Sequence, residues 1–361
     1  MKKLKTFIAW ICRTLLGAVF IFSGFVKAID PLGTVYKIED YLKAFGGFFT
    51  DLLPWATTAA IILIALECVL GICMVLNVRT RLTSWIALLF YLVMTPLTLY
   101  IAIKNPVSDC GCFGDAIVIS NWQTFGKNVV LLTMAILLCA WCKNLRARWS
   151  GIVEWGLVLL SLTAAGGMMA YSYTHLPIMD FRPYKIGNHI PTLMEDVDPE
   201  YEYTYICEKD GVEQTFTTAN YPDSTWKLVR YESTVIQEGK EAPIHDLEIV
   251  NMYDENITQD ILESPDSVTL VIMYDLKKSD MQQMDKVKAL YEACMNQGQQ
   301  CYILTGSETN ELITFIEDHS MLSEGVCSCD PVTLKTSGRA NPGVIVIKEG
   351  TIIDKYNVRN R

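Results

Sequence analysis

The sequence predicts an α-helical membrane bundle joined to a water-exposed α/β part. Three observations carry this reading. Of the 361 residues, 51% are hydrophobic and mean hydropathy is positive, both high for a wholly soluble chain. Five apolar runs, each of about twenty residues, precede residue 174, and each is long enough to cross a hydrocarbon core of about 30 Å. Charge divides at the same place. Residues 1–174 hold 14 Lys/Arg and 8 Asp/Glu, a net +6, whereas residues 175–361 hold 16 and 32, a net −16. The acidic half argues against nucleic acid, whose phosphates it would repel. The partner of the first half is the lipid bilayer.

The first run, residues 7–29, follows Met1-Lys2-Lys3-Leu4-Lys5. It lacks a small-x-small cleavage site, and Arg13 and Lys27 interrupt it, so it reads as a retained helix and not a signal peptide. Asp30-Pro31 stops it, because the residue before proline avoids the helical region. The further runs are 55–76, 82–103, 122–141 and 152–173, and Pro96 is expected to kink the third span. Lys2, Lys3 and Lys5, then Arg79 and Arg81, then Lys143, Arg146 and Arg148 mark three cytoplasmic segments by the positive-inside rule. The loops 30–54 and 104–121, and everything after residue 175, are then expected outside. The reading is a bacterial inner-membrane protein with five spans, a cytoplasmic N-terminus and a periplasmic C-terminal part.

The outer half begins with a linker at 174–191, rich in Pro, Gly and aromatics. Short alternating stretches from 201 to 236, with a turn at Asp210-Gly211, predict a hairpin in a small β-rich subdomain. A continuous β-branched run at 267–274 predicts a buried strand. A helix is expected at 281–296, a strand at 300–304, a helix at 308–319, a strand at 325–329 and a short helix at 332–337. Strands at 344–347 and 351–356, joined by Glu349-Gly350, close the chain. The domains are thus 1–145 (four-helix membrane part), 146–175 (fifth span), 176–240 (linker and β-rich subdomain) and 241–361 (α/β domain).

This order of elements in the last 120 or so residues resembles the thioredoxin-like fold. Pro342 matches that family's cis-proline position, a bond type kept for specific turns. There is one large departure. Where the family carries Cys-x-x-Cys, this chain reads Asp275-Leu276-Lys277-Lys278-Ser279-Asp280. The resemblance therefore implies the fold without the usual active site.

The chemistry centres on Ser108-Asp109-Cys110-Gly111-Cys112-Phe113-Gly114-Asp115, between the third and fourth spans. Gly111 lets the backbone fold tightly enough for the two sulfurs to meet. A bridge between them would close a very small ring, and such bonds are labile and oxidising. An outward loop in an oxidising compartment suits disulfide chemistry. A structural tether is the competing reading; zinc is disfavoured, since no His lies nearby to complete four ligands. A helix N-terminus near Asn121 is expected to lower a thiol pKa. Cys327 and Cys329 echo the spacing and are the candidate partners of Cys110 and Cys112, against a bridge within their own domain. Cys139 and Cys142, with Cys68 and Cys73, would form a thiol relay across the membrane, but cysteine is also an ordinary small apolar residue in helices. Cys294 and Cys301 would pair if one ends a helix and the other starts a strand.

Glu67 is an acid inside an apolar run, so it must be protonated, paired or wet. Lys27 and Lys127 are its candidate partners. It reads either as a buried ion pair that fixes packing or as a proton-handling, quinone-side acid. No phosphate loop, Ser-His-Asp set, haem motif or ligand-spaced His cluster occurs, so no metal or bound cofactor is expected apart from that quinone reading.

Residues 1–145 are similar to the DoxX family and the related MauE proteins of methylamine utilisation. The matching pieces are Phe22-Ser23-Gly24-Phe25-Val26-Lys27-Ala28-Ile29-Asp30-Pro31, Ala65-Leu66-Glu67, and Asp109 to Asp115. The resemblance implies a four-helix membrane bundle linked to periplasmic redox maturation or oxidative-stress defence, sometimes fused to a thioredoxin-like domain. The function expected is a thiol-disulfide factor working through Cys110 and Cys112 on a periplasmic client. The alternatives are a non-catalytic scaffold whose outer domain only binds, and a quinone-linked or transport bundle centred on Glu67.

Overall fold

The computed structural model describes residues 2–107, 110–145 and 149–361. The first part is helical: α1 (Lys2–Ile29), α2 (Pro31–Phe45), a 3-10 segment (Gly47–Trp55), α3 (Ala56–Leu76), α4 (Thr80–Lys104), α5 (Asn121–Trp141) and α6 (Gly151–Thr174). Five of these segments are long and apolar enough to cross a membrane: α1, Gly47–Leu76, α4, α5 and α6. Pro96 lies inside α4.

The stretch 30–54, expected as a loop, is mostly helical. Asp30-Pro31 does end α1, but it also starts α2. The Asp30 carboxylate accepts the Gly33 amide at 3.1 Å, and Pro31 takes the first helical turn, where no amide is needed. The α1–α3 crossing runs through small residues. A methyl on Gly71 would sit 2.5 Å from the Ile21 backbone nitrogen, and one on Gly24 would sit 2.8 Å from the Cys68 nitrogen. Close approach of backbones is what gives helices in lipid their packing energy. Gly71→Val is expected to force the helices apart and destabilise the bundle by roughly 1–3 kcal/mol, as overpacking does; thermal unfolding in detergent checks it, and Gly126→Val, at an open position, is the control.

After a short helix α7 (Ile190–Leu193), the strands β1 (Glu200–Lys209), β2 (Val212–Thr217) and β3 (Lys227–Gln237) form an antiparallel sheet in the order β2-β1-β3. The hairpin turns at Asp210-Gly211 as expected, and β3, exposed along its whole length, adds a third strand. The second sheet uses β4 (Ile249–Asn251), β5 (Val268–Ile272), β6 (Cys301–Thr305), β7 (Val326–Cys329), β8 (Gly343–Lys348) and β9 (Thr351–Asn357) in the order β4-β7-β6-β5-β8-β9. The pairs β5/β6 and β6/β7 are parallel and the rest antiparallel. Its helices are α8 (Thr258–Leu262), α9 (Met284–Asn296), α10 (Thr309–Asp318) and α11 (Pro331–Ser337). Every residue of β5 is buried. Leu270 and Ile272 face a core shared with Ile249 and Leu334, whereas Val271 and Met273 face one built on Val287 and Phe315. The period of two along a strand covered on both faces produces this split.

The linker is tied down. Arg182 pairs with Asp180 at 2.7 Å and donates to the Thr336 carbonyl, and Lys355 meets Asp180 at 2.8 Å. The α/β part then rests on the bundle. Arg339 sits between Asp30 and Asp115, with its guanidinium 2.8 Å from the first and 3.1 Å from the second. Tyr36 of α2 donates its hydroxyl to Tyr274 at 3.0 Å, and its ring lies 5.3 Å from the Arg339 guanidinium.

Candidate functional site: a cysteine pair over a buried ion pair

The turn from 110 to 116 folds back on itself because Gly111 (φ 63°) and Gly114 (φ 53°) adopt left-handed conformations that side-chain-bearing residues resist. The Gly114 amide bonds the Gly111 carbonyl at 3.1 Å. Both ends of the cysteine pair are anchored to the helices below. Tyr41 of α2 donates to the Cys110 carbonyl at 2.8 Å, and Ser23 of α1 donates to the Cys112 carbonyl at 2.8 Å. The two sulfurs are 3.1 Å apart. That is thiol hydrogen-bonding distance, well beyond a disulfide bond of about 2.05 Å.

Directly under the turn lies the ion pair. The Lys27 ammonium donates to both Glu67 oxygens, at 2.8 and 2.9 Å, and to the Ser23 hydroxyl at 2.9 Å. Ser23 also reaches Glu67 at 2.9 Å. One hydroxyl carries one proton, so Ser23 serves either the carboxylate or the Cys112 carbonyl at a given moment, and it couples the two. Lys27 is 6% exposed and Glu67 is 3% exposed. Lys127, the other candidate partner of Glu67, lies instead 4.2 Å over the Phe113 ring as a cation–π contact. A cavity of about 200 Å³ connects these groups, lined by Lys27, Glu67, Cys110, Cys112 and Lys127 together with apolar side chains of α3 and α4.

The electrostatics separate the two thiols. Cys112 is lowered to about 6 by the hydrogen bond from Cys110, helped by the charges of Lys127 and Lys27 against the opposing effects of burial and Glu67. Cys110 is pushed up by the same hydrogen bond and by burial. A thiol donor and two ammonium groups supply this lowering. Thiolate alkylation of Cys112 is expected to rise with pH through about 6, not through the ordinary thiol range. Replacing Lys127 by Met removes one of the two cations and should move the midpoint upward; iodoacetamide labelling followed by peptide mass spectrometry measures both.

The other residues singled out from the sequence are placed as follows. Asp109 lies outside the described residues. Asp115 pairs with Arg339, and burial raises its carboxyl despite that guanidinium. Burial also works against the Asp30 charge, but Arg339 outweighs it and holds Asp30 below its usual range. Cys327 and Cys329 lie on β7 with both side chains in the sheet core, where burial pushes each up to about 12. Neither lines the Cys110/Cys112 cavity, and neither do Cys68, Cys73, Cys139 or Cys142. The Cys142 thiol donates to the Cys139 carbonyl at 3.3 Å. Cys294, in the last turn of α9, lies beside Cys301 at the start of β6, and the two thiols interact. All twelve cysteines are free thiols. The Asn341–Pro342 bond is cis. The Asn341 side chain accepts from Ser279 at 2.8 Å and donates to the Asp275 carbonyl at 2.8 Å, fastening this turn to the thiol-free segment 275–280.

Sequence reasoning missed Ser23, Tyr41, Asp30 and Arg339 as site residues. Ser23 and Asp30 lie inside the stretch Phe22 to Pro31, where their spacing around Lys27 was a usable signal: Ser23 is one helical turn before Lys27. Arg339 carried no local signal, since its carboxylate partners lie more than 220 residues away in the chain.

The comparisons with known proteins agree with the helical part. Residues 201–238, the three-stranded sheet, match a family model described as a domain of unknown function. No curated protein and no solved structure matches the chain. Residues 5–141 match the family model of the methylamine utilisation protein MauE, so the helical part of the chain is similar to that family.

Proposed function

We propose that this chain is an inner-membrane thiol-disulfide maturation factor that exchanges disulfides with a periplasmic client through Cys110 and Cys112. The observation that carries the reading is the pair itself: two sulfurs 3.1 Å apart, with the Cys112 thiol shifted downward by Cys110 and by the nearby ammonium groups. In the oxidised pair a client thiolate attacks one sulfur and releases the other. The client's second thiol then displaces the mixed disulfide, leaving the client oxidised and Cys110/Cys112 reduced. Cys112 is the better leaving group because its thiolate is stabilised. The charge of the inter-span loops supports the outward orientation of this turn.

The outer part, in this reading, is thioredoxin-like: a parallel β-α-β core beside an antiparallel hairpin fits that fold. Its role is to hold the client over the turn. Cys327 and Cys329, buried and high in pKa, stay out of the exchange. Titrating the purified full-length protein with glutathione redox buffers tests the function. The 110–112 peptide is expected to pass reversibly between dithiol and disulfide. A pair that stays in one state across the whole range of buffers contradicts the proposal.

A further inference from the structure

An exchanging pair that oxidises clients must itself be reoxidised, and the cavity beneath it bears on how. This step rests on the thiol-exchange reading. The cavity lies among α1–α5 and is partly open, and its walls are predominantly apolar, with Phe90, Tyr91, Met94 and Leu97 on one side. Yet Lys27, Glu67 and Lys127 reach into it, beside the two sulfurs. A structural ion pair needs no void next to it, and a void in a packed bundle costs contacts. A site that combines aromatic walls, the ammonium groups of Lys27, Lys37 and Lys127 and a dithiol suits a flat, apolar molecule whose oxygens gain negative charge as it accepts electrons.

We propose that this cavity binds the head group of a membrane quinone, which takes two electrons from the reduced Cys110/Cys112 pair. The Cys112 thiolate adds to a ring carbon, forming a C–S bond, and the Lys27 or Lys127 ammonium protonates the oxygen that becomes anionic. Cys110 loses its proton to the second ring oxygen and attacks the Cys112 sulfur. The S–S bond forms, the C–S bond breaks, and both electrons leave with the ring as hydroquinone. The sum is one thiolate, one thiol, one quinone and one added proton giving one disulfide and one hydroquinone. Solvent restores the proton to the ammonium.

The test uses the full-length protein in lipid nanodiscs, reduced and freed of reductant, with decylubiquinone as the probe. One quinone is expected to be reduced per protein, as the 110–112 peptide becomes a disulfide. Leu97→Trp and, separately, Met94→Trp fill the cavity from α4. Each is expected to lower the quinone rate at least tenfold relative to the rate with the water-soluble oxidant diamide in the same variant. If diamide oxidises the pair while quinone does not, or if both Trp variants keep the wild-type ratio of the two rates, the quinone site is refuted and the exchange reading stands. If neither oxidant forms the 110–112 disulfide, the exchange reading falls as well.

Discussion

Arg339→Met is expected to release the outer part of the chain from the membrane bundle. The guanidinium is 7% exposed. Its Nε donates to both Asp30 oxygens at 3.0 and 2.9 Å, its Nη2 reaches Asp115, and its Nη1 donates to the Lys335 carbonyl at 2.6 Å. Methionine keeps much of the volume but takes this counter-charge from the mostly buried Asp30 carboxylate and from the part-exposed Asp115. Breaking a buried pair from one side costs roughly 3–5 kcal/mol, because the remaining charge must be rehydrated or protonated. Rehydration here means undocking, so the docking equilibrium should weaken by roughly two to four orders of magnitude. Hydrogen exchange at residues 30–37 and 274–280 measures it: protection is expected to collapse in Arg339→Met, while the interior of the six-stranded sheet stays protected. Unchanged protection at both segments would mean that the Tyr36–Tyr274 contact and the linker hold the interface alone. The contact also has a pH sense. Asp30 is held below its unfolded pKa, so its contribution is complete above that unfolded value and is lost as pH falls through the folded one. For the Asp30 half of the contact undocking in acid is the expected direction, whereas Asp115, raised by burial, acts in the opposite sense.

Glu67→Gln is the second large effect. The substitution leaves the Lys27 ammonium buried with the Ser23 hydroxyl and an amide in place of a carboxylate. The expected loss is again roughly 3–5 kcal/mol, visible as a lower unfolding temperature in detergent. The double variant Lys27→Met/Glu67→Leu separates structure from chemistry. Replacing a buried pair by apolar side chains of similar size is often neutral or stabilising, so this variant should recover most of the lost stability. With both groups gone, Cys112 loses a positive charge that favours its thiolate and a smaller opposing effect from Glu67, so alkylation should need only a slightly higher pH than in the wild type. A double variant with wild-type stability and a wild-type alkylation profile would reduce the pair to a packing element.

Much of this was legible in the sequence, for physical reasons that differ by element. The spans were, because lipid demands about twenty apolar residues whatever else they do. The strands β5, β6 and β8 were, because a strand buried on both faces needs a continuous apolar run, and β9 followed from the Glu349-Gly350 turn. The helix α2 was not. Asp30-Pro31 was read only as a stop, although the same dipeptide offers a cap and a proline at the first helical position. β4 and α8, with three and five residues, are too short to show any period. Within the site, Cys110, Cys112, Glu67 and Lys27 stood out by type: thiols around a glycine, and charges in apolar helices. The structure separates Lys127 from Glu67 and gives it to Phe113, a choice set by where the turn folds and not by spacing. Arg339 shows the limit of local reading. A surface-type residue in an acidic domain gives no sign that carboxylates at the far end of the chain will bury it.

The central claim is that Cys110 and Cys112 form a redox pair facing outward from the membrane. Intact cells treated with reductant and then with a membrane-impermeant maleimide test both parts at once, read by mass spectrometry of the 110–112 peptide. Labelling of the pair without permeabilisation, and its disappearance when cells are first exposed to diamide, is the expected result. Labelling only after the membrane is opened, or labelling that diamide does not change, would contradict it.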